Sequence, residues 1–130
     1  MVPSDLQFFD VKDFHRPELM DESFVRWLDQ VRGVADVPFV LTDDGRLDTD
    51  PNPTGSAGKH SLHRRGRAVD VRSRTWSAVE KWKVVDAVMA LAHLAPGKVE
   101  LELVYSTTDQ HFHIGVDETA TEHRLLEALE

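Results

Sequence analysis

The sequence predicts an α+β fold in which helices pack on a small, largely antiparallel sheet. Three observations indicate this fold: long segments with apolar residues at helical spacing, short segments with strand-like patterning, and turn residues that separate them. The chain has 130 residues, of which 41% are hydrophobic, and this suits one domain with a modest core. We therefore expect a single domain over residues 1–130.

The N-terminal part is predicted to form a lead-in segment followed by a helix. Residues 1–20 hold phenylalanines among polar residues, and we expect them to pack on the domain. Asp21 can cap a helix that runs to about Arg32, where Gly33 stops it. The apolar positions of this helix recur at helical spacing: Phe24, Trp27, Leu28 and Val31.

The middle of the chain is predicted to hold two strands separated by a long loop. Residues 37–42 read as a short buried strand, and Asp43-Asp44-Gly45 as the turn after it. Residues 43–60 are polar and contain Pro51, Pro53, Gly55 and Gly58; a loop of this length inside a domain is usually functional or disordered. Residues 67–72 form the next predicted strand.

A second long helix follows, beginning at Thr75 or Ser77 and running to about His93. Pro96 and Gly97 end it. The remaining predicted elements are strands over 99–105 and 111–116, a turn at 107–109 between them, and a closing helix over about 118–129.

The composition argues against several classes of function. The formal net charge of -8 disfavours binding to nucleic acid or to anionic membranes, and no apolar segment is long enough for membrane insertion. The chain has no cysteine, so any metal site must be built from histidine, aspartate and glutamate. The first residues lack a secretory signal pattern.

The first segment with candidate chemistry lies at the end of the long loop. His63 comes before a sharp turn that Gly66 permits, and Asp70 lies in the strand that follows. A carboxylate in a central strand is costly unless it is paired. Asp70 therefore either binds a metal ion or forms an ion pair with Arg67 or Arg72.

The second segment is the His111-Phe112-His113-Ile114 strand. His111 and His113 point to one face of it, and Phe112 and Ile114 point to the other. One imidazole can then be a metal ligand with the other as its neighbour, or both can be ligands. The alternative is a polar strand face in contact with solvent.

The donor types favour zinc as the cofactor. Two imidazoles and one carboxylate, here His63, Asp70 and His113, match catalytic zinc sites that leave a fourth position for water. Such a metal lowers the pKa of water and polarises a carbonyl group. Non-haem iron uses the same donors, so the trio alone does not select zinc.

These two segments, in this order, resemble the D-alanyl-D-alanine carboxypeptidase family of zinc peptidases. The family shares its fold with the amino-terminal domain of hedgehog proteins and includes phage L-alanyl-D-glutamate endopeptidases. Its first motif, S-x-H-x-x-G-x-A-x-D, is matched at every fixed position by Ser61, His63, Gly66, Ala68 and Asp70. Its second motif places the third zinc ligand last in an HxH run, which His113 and His111 fit.

The resemblance extends to two less specific segments. Residues 9–14 are similar to an F-x-x-x-E-F opening, and residues 39–46 to a strand followed by T-S-G-x-R. The resemblance implies that Arg46 binds a substrate carboxylate and that Ser61 hydrogen-bonds the substrate or a ligand. From its surroundings alone, Arg46 can equally be a loop arginine paired with a neighbouring aspartate.

One position departs from the family pattern. Many members carry an acidic general base three residues before the last histidine, where this chain has Gln110. An amide cannot accept that proton. Three outcomes are open: His111 serves as base or transition-state stabiliser, Asp109 reaches the water, or catalysis is lost and the zinc is structural. We favour the first.

The resemblance implies a monomeric zinc metallopeptidase that hydrolyses peptidoglycan stem peptides through zinc-activated water, as a D,D-carboxypeptidase or an endopeptidase. The catalytic residues would be His111 and Arg46. The absence of a signal pattern suits cytoplasmic synthesis or a phage or prophage protein acting on the cell wall. The alternative is a non-catalytic, zinc-stabilised cell-wall-binding or virion module, and a non-haem iron oxygenase is a weaker third hypothesis.

Overall fold

The computed structural model describes residues 1–45 and 62–119 of the chain. Within them the protein is α+β, with two α-helices and a four-stranded antiparallel sheet, as the sequence predicts. The closing helix predicted over 118–129 lies almost entirely outside the described residues. The elements are α1 (Glu22–Ala35), β1 (Leu41–Asp43), β2 (Ala68–Arg72), α2 (Ala78–Leu91), β3 (Lys98–Tyr105) and β4 (Gln110–Asp117).

The lead-in segment packs on the domain, as expected. Its side chains at Val2, Phe9, Phe14 and Met20 are buried in the core. Asp29 of α1, itself buried, accepts hydrogen bonds from the backbone N–H groups of residues 7, 8 and 9 at 2.9–3.0 Å. These bonds hold the segment against the first helix.

The start of α1 is predicted correctly and its end is not. The Asp21 side chain accepts a hydrogen bond from the Phe24 N–H at 3.0 Å, which caps the helix. The helix continues through Gly33 to Ala35 and ends at Asp36, whose φ of 52° is left-handed. Gly33 lies against the half-exposed ring of Phe8, which would have to move aside for a Cβ atom there.

The second helix begins at the later of the two predicted positions. Ser77 caps α2, and Glu80 returns the bond to the Ser77 N–H, which completes a capping box. The α-helix ends at Leu91, and a 3-10 turn over Ala92–Leu94 carries the chain past the predicted end near His93.

The sheet has the order β1-β2-β4-β3, so β2 and β4 lie at its centre. The strand predicted at 37–42 is present but shorter and later than expected: β1 covers only Leu41–Asp43, and Asp43 lies in the strand rather than in a turn. Pro38 has no N–H to donate to a neighbouring strand, and its carbonyl accepts the Trp76 indole N–H at 3.1 Å. The chain therefore joins the sheet only after this point.

The core lies between the helices and one face of the sheet. Side chains from α1, α2, β2, β4 and the lead-in segment form one continuous buried cluster. The opposite face of β2 and β4 is not covered in this way, and it carries the histidines.

Candidate metal centre

The pairing of β2 with β4 places the two sequence segments side by side. Asp70 lies directly opposite His113, and Arg72 lies opposite His111. Between them, Val71 faces Phe112 in register, and both side chains are buried in the core. Because side chains alternate along a strand, Asp70, His111 and His113 share the other face of the sheet.

His63 reaches this face from the turn that precedes β2. The turn is closed by a hydrogen bond from the Gly66 N–H to the His63 carbonyl at 3.2 Å. Gly66 has a φ of 69°, and a Cβ atom there would overlap the Leu19 carbonyl oxygen. Its own carbonyl accepts the Asp21 N–H at 3.0 Å, so the turn lies against the start of α1. The motif glycine therefore sets the position of His63.

His63, Asp70 and His113 converge on one point. Asp70 Oδ1 lies 3.4 Å from His63 Nε2 and 3.3 Å from His113 Nδ1. The two imidazole rings are 5.0 Å apart, and one ligand atom from each of the three residues lies within 4.8 Å of the others. This spacing suits three donors around a single metal ion.

His111 adjoins the trio without belonging to it. Its Nε2 lies 3.6 Å from Asp70 Oδ2, and its Nδ1 lies 2.9 Å from Asp109 Oδ1. Asp109 thus contacts the His111 imidazole rather than a residue of the trio. This carboxylate fixes the orientation of the His111 ring beside the centre.

The two histidines of the trio also face a second carboxylate. Asp43 Oδ1 is 3.5 Å from His63 Nδ1, and Glu100 Oε2 is 3.6 Å from His113 Nε2. With Asp109, this gives each of the three imidazoles one nitrogen towards Asp70 and the other towards an outer carboxylate. Histidines that bind metals are commonly oriented by such a carboxylate.

The charges of the centre are strongly coupled. Burial disfavours ionisation of Asp70, but hydrogen bonds with His113 and His63 outweigh it and hold the pKa of the carboxyl far below its usual range. Burial also disfavours the charged form of His113, yet the hydrogen bond with Asp70 and the charges of Glu100 and Glu102 raise the pKa of this imidazole. The site is anionic and attracts cations.

Neither alternative to a metal site, an ion pair of Asp70 with an arginine or a strand face in contact with solvent, fits the structure. Arg67 is buried and pairs with Asp21 at 3.1 Å and Glu118 at 2.6 Å rather than with Asp70. Among residues 1–45 and 62–119, the ion pairs of Asp70 are all with histidines. The strand face is also not fully solvated, because the side chains of His63, Asp70, His111 and His113 are only 11–18% exposed.

The donor set fits a divalent metal ion. It supplies two imidazoles and a carboxylate, and the Nδ1 atom of His63 is buried with no hydrogen-bond partner in the part of the chain described. Its contact with Asp43 is within ion-pair distance but outside hydrogen-bond geometry. A metal on one nitrogen of His63 would fix the proton on the other and aim it at Asp43.

Other candidate residues fall in two groups. Arg46 and Ser61 lie outside the described residues, as does most of the predicted loop at 43–60. Gln110 begins β4, and its carbonyl accepts the Ser73 N–H at 3.1 Å. Asp43 and Glu100 are imidazole partners that the sequence alone does not reveal, because alternation along β3 places Glu100 on the polar face without fixing its register against β4.

No family model matches the chain, and neither curated proteins nor solved structures show a match. In residues 1–45 and 62–119, no helix has the length and apolar character needed to span a membrane.

Proposed function

We propose that this protein is a zinc metallopeptidase that hydrolyses peptidoglycan stem peptides, as a D,D-carboxypeptidase or an endopeptidase. One observation carries the proposal: the histidine and aspartate of the S-x-H-x-x-G-x-A-x-D motif meet the last histidine of HxH within 4.8 Å. The motif was matched on sequence alone, so this convergence in space is a separate argument for a metal site. The protein is expected to act as a monomer.

The choice of zinc rests on the donors and on the chemistry. Zinc favours imidazole and carboxylate ligands, and catalytic sites commonly offer three of them. When bound, zinc polarises a carbonyl group and lowers the pKa of water to near neutrality. Two histidines and one carboxylate also suit non-haem iron, and metal analysis of the purified protein separates the two.

His111 is the residue that would accept and donate protons during hydrolysis. Its Nε2 faces the centre, and Asp109 Oδ1 lies 2.9 Å from its Nδ1, which fixes one tautomer of the ring. This pairing of an imidazole with a carboxylate is the usual support of a histidine general base. His111 thereby replaces the acidic residue whose position Gln110 occupies.

Gln110 also supports a second function, a zinc-stabilised module that binds the cell wall without cleaving it. In that case the three ligands remain and turnover is absent. This function predicts that chelation lowers the melting temperature while muropeptides stay intact.

Incubation with muropeptides and added zinc tests the proposal. We expect cleavage by the native protein and its loss in His63→Ala, because a missing ligand removes the metal. His93→Ala is the matched control, since this histidine is exposed on the 3-10 turn after α2 and its removal should leave cleavage intact. Equal cleavage by native protein and His63→Ala would refute the peptidase, and intact muropeptides with zinc-dependent melting would favour the binding module.

A further inference from the structure

A cavity opens beside His111 at the end of β2. Its volume is about 380 Å³, and its walls include Arg72, Arg74, Thr42 and Thr108 as well as His111. Two arginines and three threonines, the third being Thr75, therefore line a space beside His111. The candidate metal centre is otherwise acidic, whereas the two arginines make this cavity locally basic.

The strand geometry sets the distance between the basic cavity and the metal ligands. Arg72 follows Asp70 by two residues on β2, so the two side chains share a face and their Cα atoms lie about 7 Å apart. One residue of extended substrate spans about 3.5 Å. A group one or two residues from a carbonyl at the metal centre therefore falls within reach of Arg72.

The guanidinium groups are available to a ligand. Arg74 donates one hydrogen bond from Nη2 to the Thr108 carbonyl at 3.1 Å. This bond orients the guanidinium group and leaves its other N–H groups available to a ligand. The side chain of Arg72 has no hydrogen bond or ion pair within residues 1–45 and 62–119. Asp109 also lines the cavity, but its Oδ1 is turned to His111.

The opposite side of the centre carries the reverse charge. Glu102 lies opposite His113 in the β3–β4 register, and Glu100 lies opposite Gly115, one step further from His111. An anionic substrate group is repelled from that side and attracted to the arginines. The charge distribution thus orients a peptide across the centre.

We propose that the Arg72–Arg74 cavity binds a carboxylate of the peptide substrate, within two residues of the bond to be cleaved. The inference rests on the proposed peptidase function and adds a specificity site to it. An arginine fork binds a carboxylate through paired hydrogen bonds, which gives it direction as well as affinity. The carboxylate is either the C-terminal group of the peptide or an acidic side chain.

Two matched pairs of peptides distinguish these sources. Acetyl-Lys-D-Ala-D-Ala and its C-terminal amide differ only in the terminal carboxylate. Acetyl-Ala-D-Glu-amide and acetyl-Ala-D-Gln-amide differ only in the side chain. NMR titration of the zinc-loaded protein reports binding through the protein signals and cleavage through the peptide signals in the same sample.

We expect one pair to show about tenfold tighter binding of the acid than of its amide, as a charged hydrogen-bonded pair gives. In Arg72→Gln or Arg74→Gln that preference should largely disappear. Arg26→Gln is the control, because this arginine is on α1 and pairs with Asp5, and the preference should persist there. Equal binding of acid and amide, no binding of any peptide, or a preference that survives both cavity variants overturns the proposal.

The same spectra separate this proposal from the peptidase itself. Cleavage without a preference for the acid rejects the carboxylate site and leaves the peptidase function standing. A preference that depends on Arg72, with no cleavage of any peptide, keeps the carboxylate site and rejects hydrolysis. The pair that shows the preference identifies the source of the carboxylate.

Discussion

The two faces of the β2–β4 strand pair belong to the same ten paired residues, but they differ in burial and in charge. The inner face carries Val69, Val71, Phe112 and Ile114, each at most 1% exposed and packed on helices. The outer face carries Asp70, His111 and His113, partly buried and in mutual polar contact. Packing stabilises the inner face, whereas the outer face carries ionisable side chains.

This difference separates the fold from the site. Burial of apolar surface stabilises the inner face without any ligand. On the outer face, polar contacts outweigh the cost of burying Asp70 and His113, and a bound cation would stabilise the folded state further. Substitutions on the two faces should therefore have separable effects on unfolding and on metal binding.

The largest effect is expected from the inner face. Phe112 is 1% exposed and its ring lies 5.2 Å from that of Trp76, edge to face. Phe112→Ala should lower the free energy of unfolding by about 3–5 kcal/mol, because it removes a large buried side chain and leaves a cavity. Urea unfolding with and without zinc measures this loss, which should be similar in both conditions.

Leu103→Ala is the control for this prediction, since Leu103 is 55% exposed on the edge strand β3. It should change stability by about 0.5 kcal/mol or less. A small loss of unfolding free energy in Phe112→Ala, or a loss that depends on zinc, would mean that packing of the inner face does not stabilise the fold independently of the metal.

The outer face offers an intermediate effect on metal affinity. Asp43 contacts His63 of the trio, whereas Asp109 contacts His111, which is outside it. Asp43→Asn should weaken zinc binding by about 10–100-fold, the usual cost of losing a carboxylate behind a metal-binding histidine. Asp109→Asn should leave zinc affinity close to native and reduce turnover. Competition with a chromophoric chelator gives the affinities.

The reverse result, weaker zinc binding in Asp109→Asn than in Asp43→Asn, would place His111 among the ligands in place of His63. Similar losses in both variants would indicate a general effect of negative charge. The pair thus tests the assignment of roles around Asp70 directly.

The sequence predicts those features that depend on residues close together in the chain. Strand alternation predicts that His111 and His113 share a face opposite Phe112, because the period of two is local. The Asp21 and Ser77 caps are local in the same way. The motif spacing, read through the family resemblance, predicts the trio from the sequence.

The errors come from contacts between distant segments. Gly33 looks like a helix stop, but α1 continues through it, and Gly33 lies against the ring of Phe8 from the lead-in segment. The strand at 37–42 shortens because the Pro38 carbonyl binds Trp76, which is 38 residues away. The outer carboxylates Asp43 and Glu100 belong to β1 and β3, so only the strand order reveals their histidine partners.

The smallest expected effect is the pH dependence of the metal-free protein. The contact with Asp70 raises the pKa of His113 above its usual 6.5, so its contribution to stability is complete below that value and is lost as the pH rises through the folded-state pKa. The lowered pKa of Asp70 acts at the acid end: its contribution is present above 3.8 and is lost as the pH falls through the folded-state pKa. Between pH 6 and 9 the metal-free protein should lose about 1 kcal/mol.

Urea unfolding in chelator at several pH values measures this loss, and Asp70→Asn should flatten it. Zinc should reverse the trend, because protons compete with the metal for the imidazoles and zinc-loaded protein gains stability as the pH rises. Opposite slopes in the two forms would show that one set of side chains alternately holds protons and metal. Equal slopes would mean that zinc is bound elsewhere, and a flat metal-free profile would mean that the Asp70–His113 pair contributes nothing to the fold.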